Sequence, residues 1–216
     1  MASTLPHHPD MPAAAISSAR TSSVALPWAD RVVIPQAAMT TVLILVTILA
    51  LGLRATALST FGFSEDEVNK IHAIDEYRRG HFSANAEHPM LMKLAMWTSV
   101  EATKAWNRVA PAGQSIDSET AIRLPNAVAG AALTVALFGL CQTLFGASVA
   151  AMASLLWALD VNAIAINRIG KEDTFALLFF VLATWCYERG KRQGNPWRVF
   201  YAADALTAKV FRIPRN

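Results

Sequence analysis

Two long stretches of this chain carry no charge, and they dictate most of what it can become. No Asp, Glu, Lys or Arg occurs between Arg31 and Arg54, or between Arg123 and Asp160. Read as one helix, the second stretch would reach ~54 Å, far beyond the ~30 Å hydrocarbon layer of a bilayer. Gly146, following Leu144 and Phe145, offers a turn that divides it in two. Only 16% of the residues are charged and 54% are hydrophobic, whereas soluble domains average about 25% charged. The apolar excess is gathered into runs, which points to a bilayer rather than a larger core.

The expected fold is all-α and polytopic, with about four spans: 37–56, 121–141, 148–166 and 173–188. The last is short, because its uncharged part, 174–187, makes only ~21 Å of helix. Asp160 is an exception within the third span and needs a partner or an interfacial position. Residues 1–34, rich in Ala, Ser, Pro and Thr, read as a disordered cytoplasmic tail and make a poor secretory signal. Residues 35–198 form the membrane domain, and 199–216 a short tail without a further apolar run, so the chain reads as truncated. The basic cluster Glu188-Arg189-Gly190-Lys191-Arg192 should be cytoplasmic. Counting back, the 59–120 loop and the 167–173 turn then share the exoplasmic side.

The 59–120 loop is not structureless. Ser64 followed by Glu67 reads as a capping box, and Val68, Ile71, Ile74 and Tyr77 continue at helical spacing to Gly80. A second amphipathic helix follows Pro89, with Leu91, Leu94, Trp97 and Val100 on its apolar stripe and Lys93, Glu101 and Lys104 elsewhere. Both suit the membrane interface. His72, His81 and His88 match no zinc spacing, and Cys141 and Cys186 form no disulfide framework. Trp97, Trp106, Trp185 and Trp197 fit interfacial belts. With a net charge of +3 and basic residues at span edges, no nucleic-acid partner is expected.

Four short motifs, in order, carry a family resemblance. Phe63-Ser64-Glu65-Asp66-Glu67 resembles the acidic motif in the first exoplasmic loop of the protein O-mannosyltransferase and aminoarabinose-transferase families of the GT-C glycosyltransferase superfamily. Glu87-His88-Pro89-Met90-Leu91-Met92-Lys93-Leu94 is similar to their acid-His-Pro-Pro-Leu-x-Lys-Leu motif, with Met90 at the second proline. Ala121-Ile122-Arg123-Leu124-Pro125 resembles their Arg-Leu-Pro entry to the second span. Asn167-Arg168-Ile169 with Asp173 resembles their Arg-plus-acid turn, here carrying Lys171-Glu172 as well. The likeness covers about residues 42–198.

The resemblance implies inverting transfer of a sugar from a polyprenyl-phosphate donor to a protein hydroxyl or an envelope glycolipid. A lipid phosphate leaving group calls for cationic stabilisation, and an acceptor hydroxyl calls for a carboxylate base. Asp66 is the candidate base and Glu67 its companion; both also suit the first turn of a helix, where acids favour the dipole. Glu87 is a candidate to orient the base or the sugar and His88 a candidate sugar or phosphate contact, against the plainer reading of a solvated loop acid and residues that start a helix. Lys93, Arg123, Arg168 and Lys171 are phosphate candidates, although basic residues at span ends also anchor at headgroups. Asp173 can pair with Arg168 or hold a cation. No cofactor or metal is required, and a divalent cation is left open. The expected location is a bacterial plasma membrane with the site facing outside, with a partner subunit left open. The competing class is a non-catalytic membrane scaffold or remnant of such an enzyme. A transporter is disfavoured because the charges cluster in loops rather than at the midplane.

Overall fold

A computed structural model describes residues 35–192; the terminal segments 1–34 and 193–216, with the tails expected there, lie outside the described residues. The described residues fold into seven helices: α1 (Gln36–Ala55), α2 (Glu65–Arg78), α3 (Met90–Asn107), α4 (Ser118–Phe145), α5 (Ala147–Leu159), α6 (Val161–Asn167) and α7 (Asp173–Arg192). Among these, α1 and α4 are long and apolar enough to cross a membrane, and the bent pair α5–α6 makes a third if it is one span.

α1 shows how a polar-free helix accommodates its few hydroxyls. Thr40, Thr41 and Thr47 each donate to the carbonyl four residues back, at 3.0, 3.0 and 2.7 Å, which satisfies the hydroxyl within the helix. Ile44, Leu45 and Ile48 stay exposed, as a lipid-facing stripe must. The opposite face packs on α4 through small residues: Ala50, Ala131 and Ala158 form one buried cluster, and small side chains let membrane helices approach closely.

α4 is the central helix, in contact with α1, α3, α5, α6 and α7. α1 and α5 run antiparallel to it. Met39 meets Phe138 near one end and Ala50 meets Ala131 nearer the other. Ser154 donates to the Thr134 carbonyl at 3.3 Å and Trp157 to the Gly130 carbonyl at 2.9 Å. α7 runs parallel to α4: Thr174 lies against Asn126, and further along Gly139 accepts the Trp185 ring so closely that an added Cβ would meet it at 2.3 Å. α7 therefore follows α4 for ~16 Å or more of helix rise, although it is not by itself long and apolar enough to count as a span. Gly146, at φ 93°, makes the sharp return from α4 to α5, a backbone region that glycine enters without penalty.

The helix expected over 148–166 is broken. α5 and α6 meet at an angle of 61°, and Asp160 stands at the break with an extended backbone. Its carboxylate accepts from the Ala163 N–H at 2.6 Å, so the acid within this apolar stretch is the N-cap of α6. The break frees carbonyls at the end of α5, and Arg54 at the end of α1 takes them. Its guanidinium donates to Ala158 O at 3.1 Å, to Trp157 O at 2.9 Å and to Asn167 Oδ1 at 2.8 Å, fully buried and stacked 5.4 Å from the Trp157 ring centre.

α2 and α3 pack over one end of this bundle. The capping box at Ser64 and Glu67 is present, and Gly80 ends the segment with φ 87°. The buried face of α3 differs from the expected stripe: Met92 and Met96 join Ile74 and Ile122 in the core, and Lys93 is buried as well. The Lys93 ammonium lies 5.7 Å from the Tyr77 ring centre and donates to the carbonyls of Ala84 and Asn85, so its charge is met by π density and backbone oxygen.

Candidate active site at one end of the bundle

The end of the bundle covered by α2 and α3 collects the sequence-derived candidates. They come from the first turn of α2 (Asp66, Glu67), the approach to α3 (Glu87, His88), the first turns of α4 (Arg123) and the 168–172 turn before α7 (Arg168, Lys171).

At the centre is a buried ion pair. Arg123 Nε and Nη2 donate to Glu67 Oε1 and Oε2, each at 2.8 Å, the forked geometry suited to guanidinium and carboxylate. The other N–H groups of Arg123 go to backbone: Nη1 to Leu58 O at 2.6 Å and Phe61 O at 2.8 Å, and Nη2 to Gly62 O at 2.8 Å. A guanidinium has five N–H donors, and all of them are used. Glu67 also accepts from the Ser64 N–H and the Gly170 N–H, both at 2.9 Å, and has no exposed surface. Burial pushes its pKa up, but the Arg123 and backbone hydrogen bonds outweigh that and lower it to about 2. This pair fastens α2, α4, the 58–62 connector and the 168–172 turn to one another.

Arg168 grips the same connector from the other side. Its Nη2 donates to Thr56 O at 2.7 Å and Ala57 O at 2.9 Å, rather than to Asp173, which is exposed. Ala57 holds a positive φ of 51°, an uncommon conformation for a residue with a Cβ. The remaining Nε and Nη1 of Arg168 have no partner among the described residues. Arg168 lines a cavity of about 420 Å³ together with Leu58, Phe61, Phe63, Glu67, Arg123 and Ala165. The cavity is mostly apolar, and Glu67, Arg123 and Arg168 are the charged residues in its wall.

Asp66 is an exposed carboxylate of the site. Lys171 Nζ lies 3.1 Å from its Oδ2, and that contact raises the Lys171 pKa. The next residue, Glu172, turns the opposite way: its Oε1 is 2.7 Å from His88 Nδ1 and its Oε2 3.0 Å from Lys70 Nζ. Burial raises the Glu172 carboxyl, yet its own backbone N–H, Lys70 and His88 bring it down to about 2. Lys70 is buried and donates also to Gly170 O at 3.0 Å. Glu87 is exposed and accepts from Asn85 Nδ2 at 2.9 Å. Lys93 is held away from solvent beneath the 84–85 carbonyls, and burial lowers its pKa.

Lys70, Glu172 and Asn126 belong to this constellation and were not singled out from the sequence. Asn126 donates to Ile169 O at 2.7 Å and Lys171 O at 2.5 Å. A usable signal existed for Lys70: Glu67, Lys70, Ile74 and Tyr77 follow helical spacing, and all four are buried. Among the described residues no group of three or more His, Cys, Asp or Glu is arranged to hold a metal ion.

Comparison with curated proteins and with solved structures found no match. Residues 112–212, a segment that carries Arg123, Arg168, Lys171 and Asp173, match the model of the dolichyl-phosphate-mannose-protein mannosyltransferase family, a membrane glycosyltransferase family of the GT-C type, and so the likeness of the short motifs extends to a family-level match over this part of the chain.

Proposed function

We propose that this chain forms the acid-bearing part of a GT-C glycosyltransferase that moves a sugar from a polyprenyl-phosphate donor to a hydroxyl of a protein or envelope glycolipid, on the exoplasmic face. The observation that carries the reading is the pairing of an exposed Asp66, backed by Lys171, with an apolar cavity edged by Arg168. Both lie on a frame that the buried Glu67–Arg123 pair makes rigid.

In this mechanism the acceptor oxygen attacks the anomeric carbon of the sugar. Its proton passes to the Asp66 carboxylate. The new carbon–oxygen bond forms as the bond from that carbon to the phosphate oxygen breaks, and the phosphate leaves with the electron pair. Single displacement inverts the anomeric centre. Lys171 orients Asp66, and the open N–H groups of Arg168 stabilise the departing lipid phosphate. Glu67 and Arg123 act through position: their hydrogen-bonding capacity is already filled, so their part is to hold Asp66 and the connector in place. Nucleotide sugars are cytoplasmic, so an outward-facing site implies a lipid-carried donor.

The test is transfer from radiolabelled polyprenyl-phosphate mannose in membranes carrying the protein. Asp66→Asn should abolish transfer and leave membrane insertion and thermal unfolding unchanged, because the side chain is exposed. Transfer at the wild-type rate in that variant refutes Asp66 as the base.

A further inference from the structure

Glu172 has a geometry that the reading above does not use. Its carboxylate lies between a buried lysine and a half-exposed histidine, with Lys70 Nζ at 3.0 Å on one oxygen and His88 Nδ1 at 2.7 Å on the other. Lys70 is 1% exposed and is itself fixed by Gly170 O. The carboxylate is therefore anchored by a buried lysine on one side and meets the imidazole on the other, with the Glu172 side chain 28% exposed.

We infer that Glu172 is a positioning residue that fixes His88 in the Nδ1–H tautomer, so that His88 Nε2 is presented as a hydrogen-bond acceptor for a hydroxyl of the sugar substrate. The inference rests on the glycosyltransferase reading for the identity of its ligand, and on geometry alone for the tautomer. An ionised carboxylate can only accept, so the ring nitrogen facing it must carry the proton. In the neutral ring the other nitrogen then has a lone pair and no proton. Nε2 has no partner among the described residues, and the His88 side chain is 34% exposed. A lone pair there matches a hydroxyl donor and repels a phosphate oxygen. That separates its ligand from the one expected at Arg168, whose open groups are donors.

The position of Glu172 in sequence strengthens the case. Its neighbour Lys171 reaches Asp66 while Glu172 reaches His88, so one rigid turn orients both a carboxylate and an imidazole. The ordinary alternative is that Glu172 merely neutralises Lys70. That role needs no particular protonation of His88 and would be indifferent to which imidazole nitrogen carries hydrogen.

The experiment uses the full chain with His7, His8, His72 and His81 replaced by Gln, leaving His88 as the one histidine, labelled with nitrogen-15 and held in lipid nanodiscs. The ring signals should show a protonated Nδ1 and a bare Nε2. Glu172→Asp should keep that pattern. Glu172→Gln, whose amide can also donate, should shift it toward the Nε2–H form. Adding polyprenyl-phosphate mannose should move the Nε2 signal, and sugar-free polyprenyl phosphate should not. Affinity for the mannose lipid should fall about ten-fold in Glu172→Gln, the worth of one hydrogen bond, and stay near wild type in Glu172→Asp, which keeps a charge beside Lys70; both are measured below the lowered unfolding midpoint that losing the Lys70 counter-charge gives Glu172→Gln. A bare Nδ1 in the wild type, or a Glu172→Gln spectrum identical to it, overturns the inference whatever the turnover. An Nε2 signal that answers equally to the sugar-free lipid overturns the hydroxyl assignment. If the wild type binds neither lipid, the function proposed above fails and the sugar ligand with it, while the tautomer result still decides the positioning role.

Discussion

The buried Glu67–Arg123 pair makes a prediction whose size can be worked out. Glu67 has no exposed surface, and its pKa falls from 4.5 to about 2 on folding. At ~1.4 kcal/mol for each pH unit, that depression corresponds to roughly 3 kcal/mol of stability. Mutational experience with buried pairs gives about 3–5 kcal/mol when one partner is removed, so the two routes agree. Because the folded-state pKa is depressed, the stabilisation is fully present above pH 4.5 and drains away as pH falls toward 2. Glu67→Gln should therefore unfold earlier than wild type at pH 6, by about 6–12 °C for a chain of this size. The gap between the two proteins should close between pH 4.5 and 2. Glu172 titrates in the same window in both, so it cancels in the difference. Arg123→Lys should fall about as far, since an ammonium has three donors where five are used. Thermal unfolding in a non-ionic detergent, followed by tryptophan fluorescence across this pH range, measures all of it. Equal midpoints at pH 6, or a gap that stays constant down to pH 2.5, would refute the argument.

Gly139→Ala places a methyl group 2.3 Å from the Trp185 ring and should destabilise by about 1–3 kcal/mol through overpacking, whereas Gly52→Ala, with nothing within 4 Å, should be neutral or slightly stabilising; thermal unfolding of both tests the α4–α7 contact. Arg54→Met leaves the Trp157 and Ala158 carbonyls and Asn167 Oδ1 without their donor, at about 1–3 kcal/mol for each buried group left unsatisfied; an unchanged unfolding midpoint would show that the α5–α6 break does not depend on Arg54. Single cysteines at Thr60 and Lys171 should react with an impermeant thiol reagent from one side of the membrane, and a cysteine at Arg192 from the other; labelling of all three from one side would mean that α7 does not cross.

The helices were legible where one signal dominated. Uncharged length predicted α1 and α4, Ser64 with Glu67 predicted the start of α2, and Pro89 the start of α3. The division of 148–166 was not legible, because Asp160 in an apolar run reads equally as a buried acid or a cap, and Arg54, which receives the freed carbonyls, is far away in sequence. The buried face of α2 was hidden for a related reason. Hydropathy marks Val68 as core, yet Val68 is 39% exposed while Glu67 and Lys70 are buried, since Glu67 finds its counter-charge on α4 and Lys70 finds its own in the 168–172 turn. Motif likeness drew attention to Arg123 and Arg168 as phosphate ligands. It carries no information on how many of their donors the fold itself uses, which is all five for Arg123 and fewer for Arg168.

That difference has a physical origin in the 168–172 turn. Its backbone is fastened at nearly every residue: Asn126 holds the carbonyls of 169 and 171, Lys70 holds that of 170, and Glu67 takes the 170 N–H. A Cβ at Gly170 would meet the Met96 methyl at 2.6 Å and the Glu67 side chain at 3.3 Å, so glycine lets the turn lie directly on α2 and α3. With the main chain fixed from beneath, the side chains of Arg168, Lys171 and Glu172 project along three set directions, to the connector, to Asp66 and to His88. The turn needs no exposed hydrogen bond of its own to stay ordered. Charged groups aimed by a backbone fixed in this way keep their geometry when a charged substrate arrives, because orientation is supplied by buried and part-buried hydrogen bonds beneath the turn.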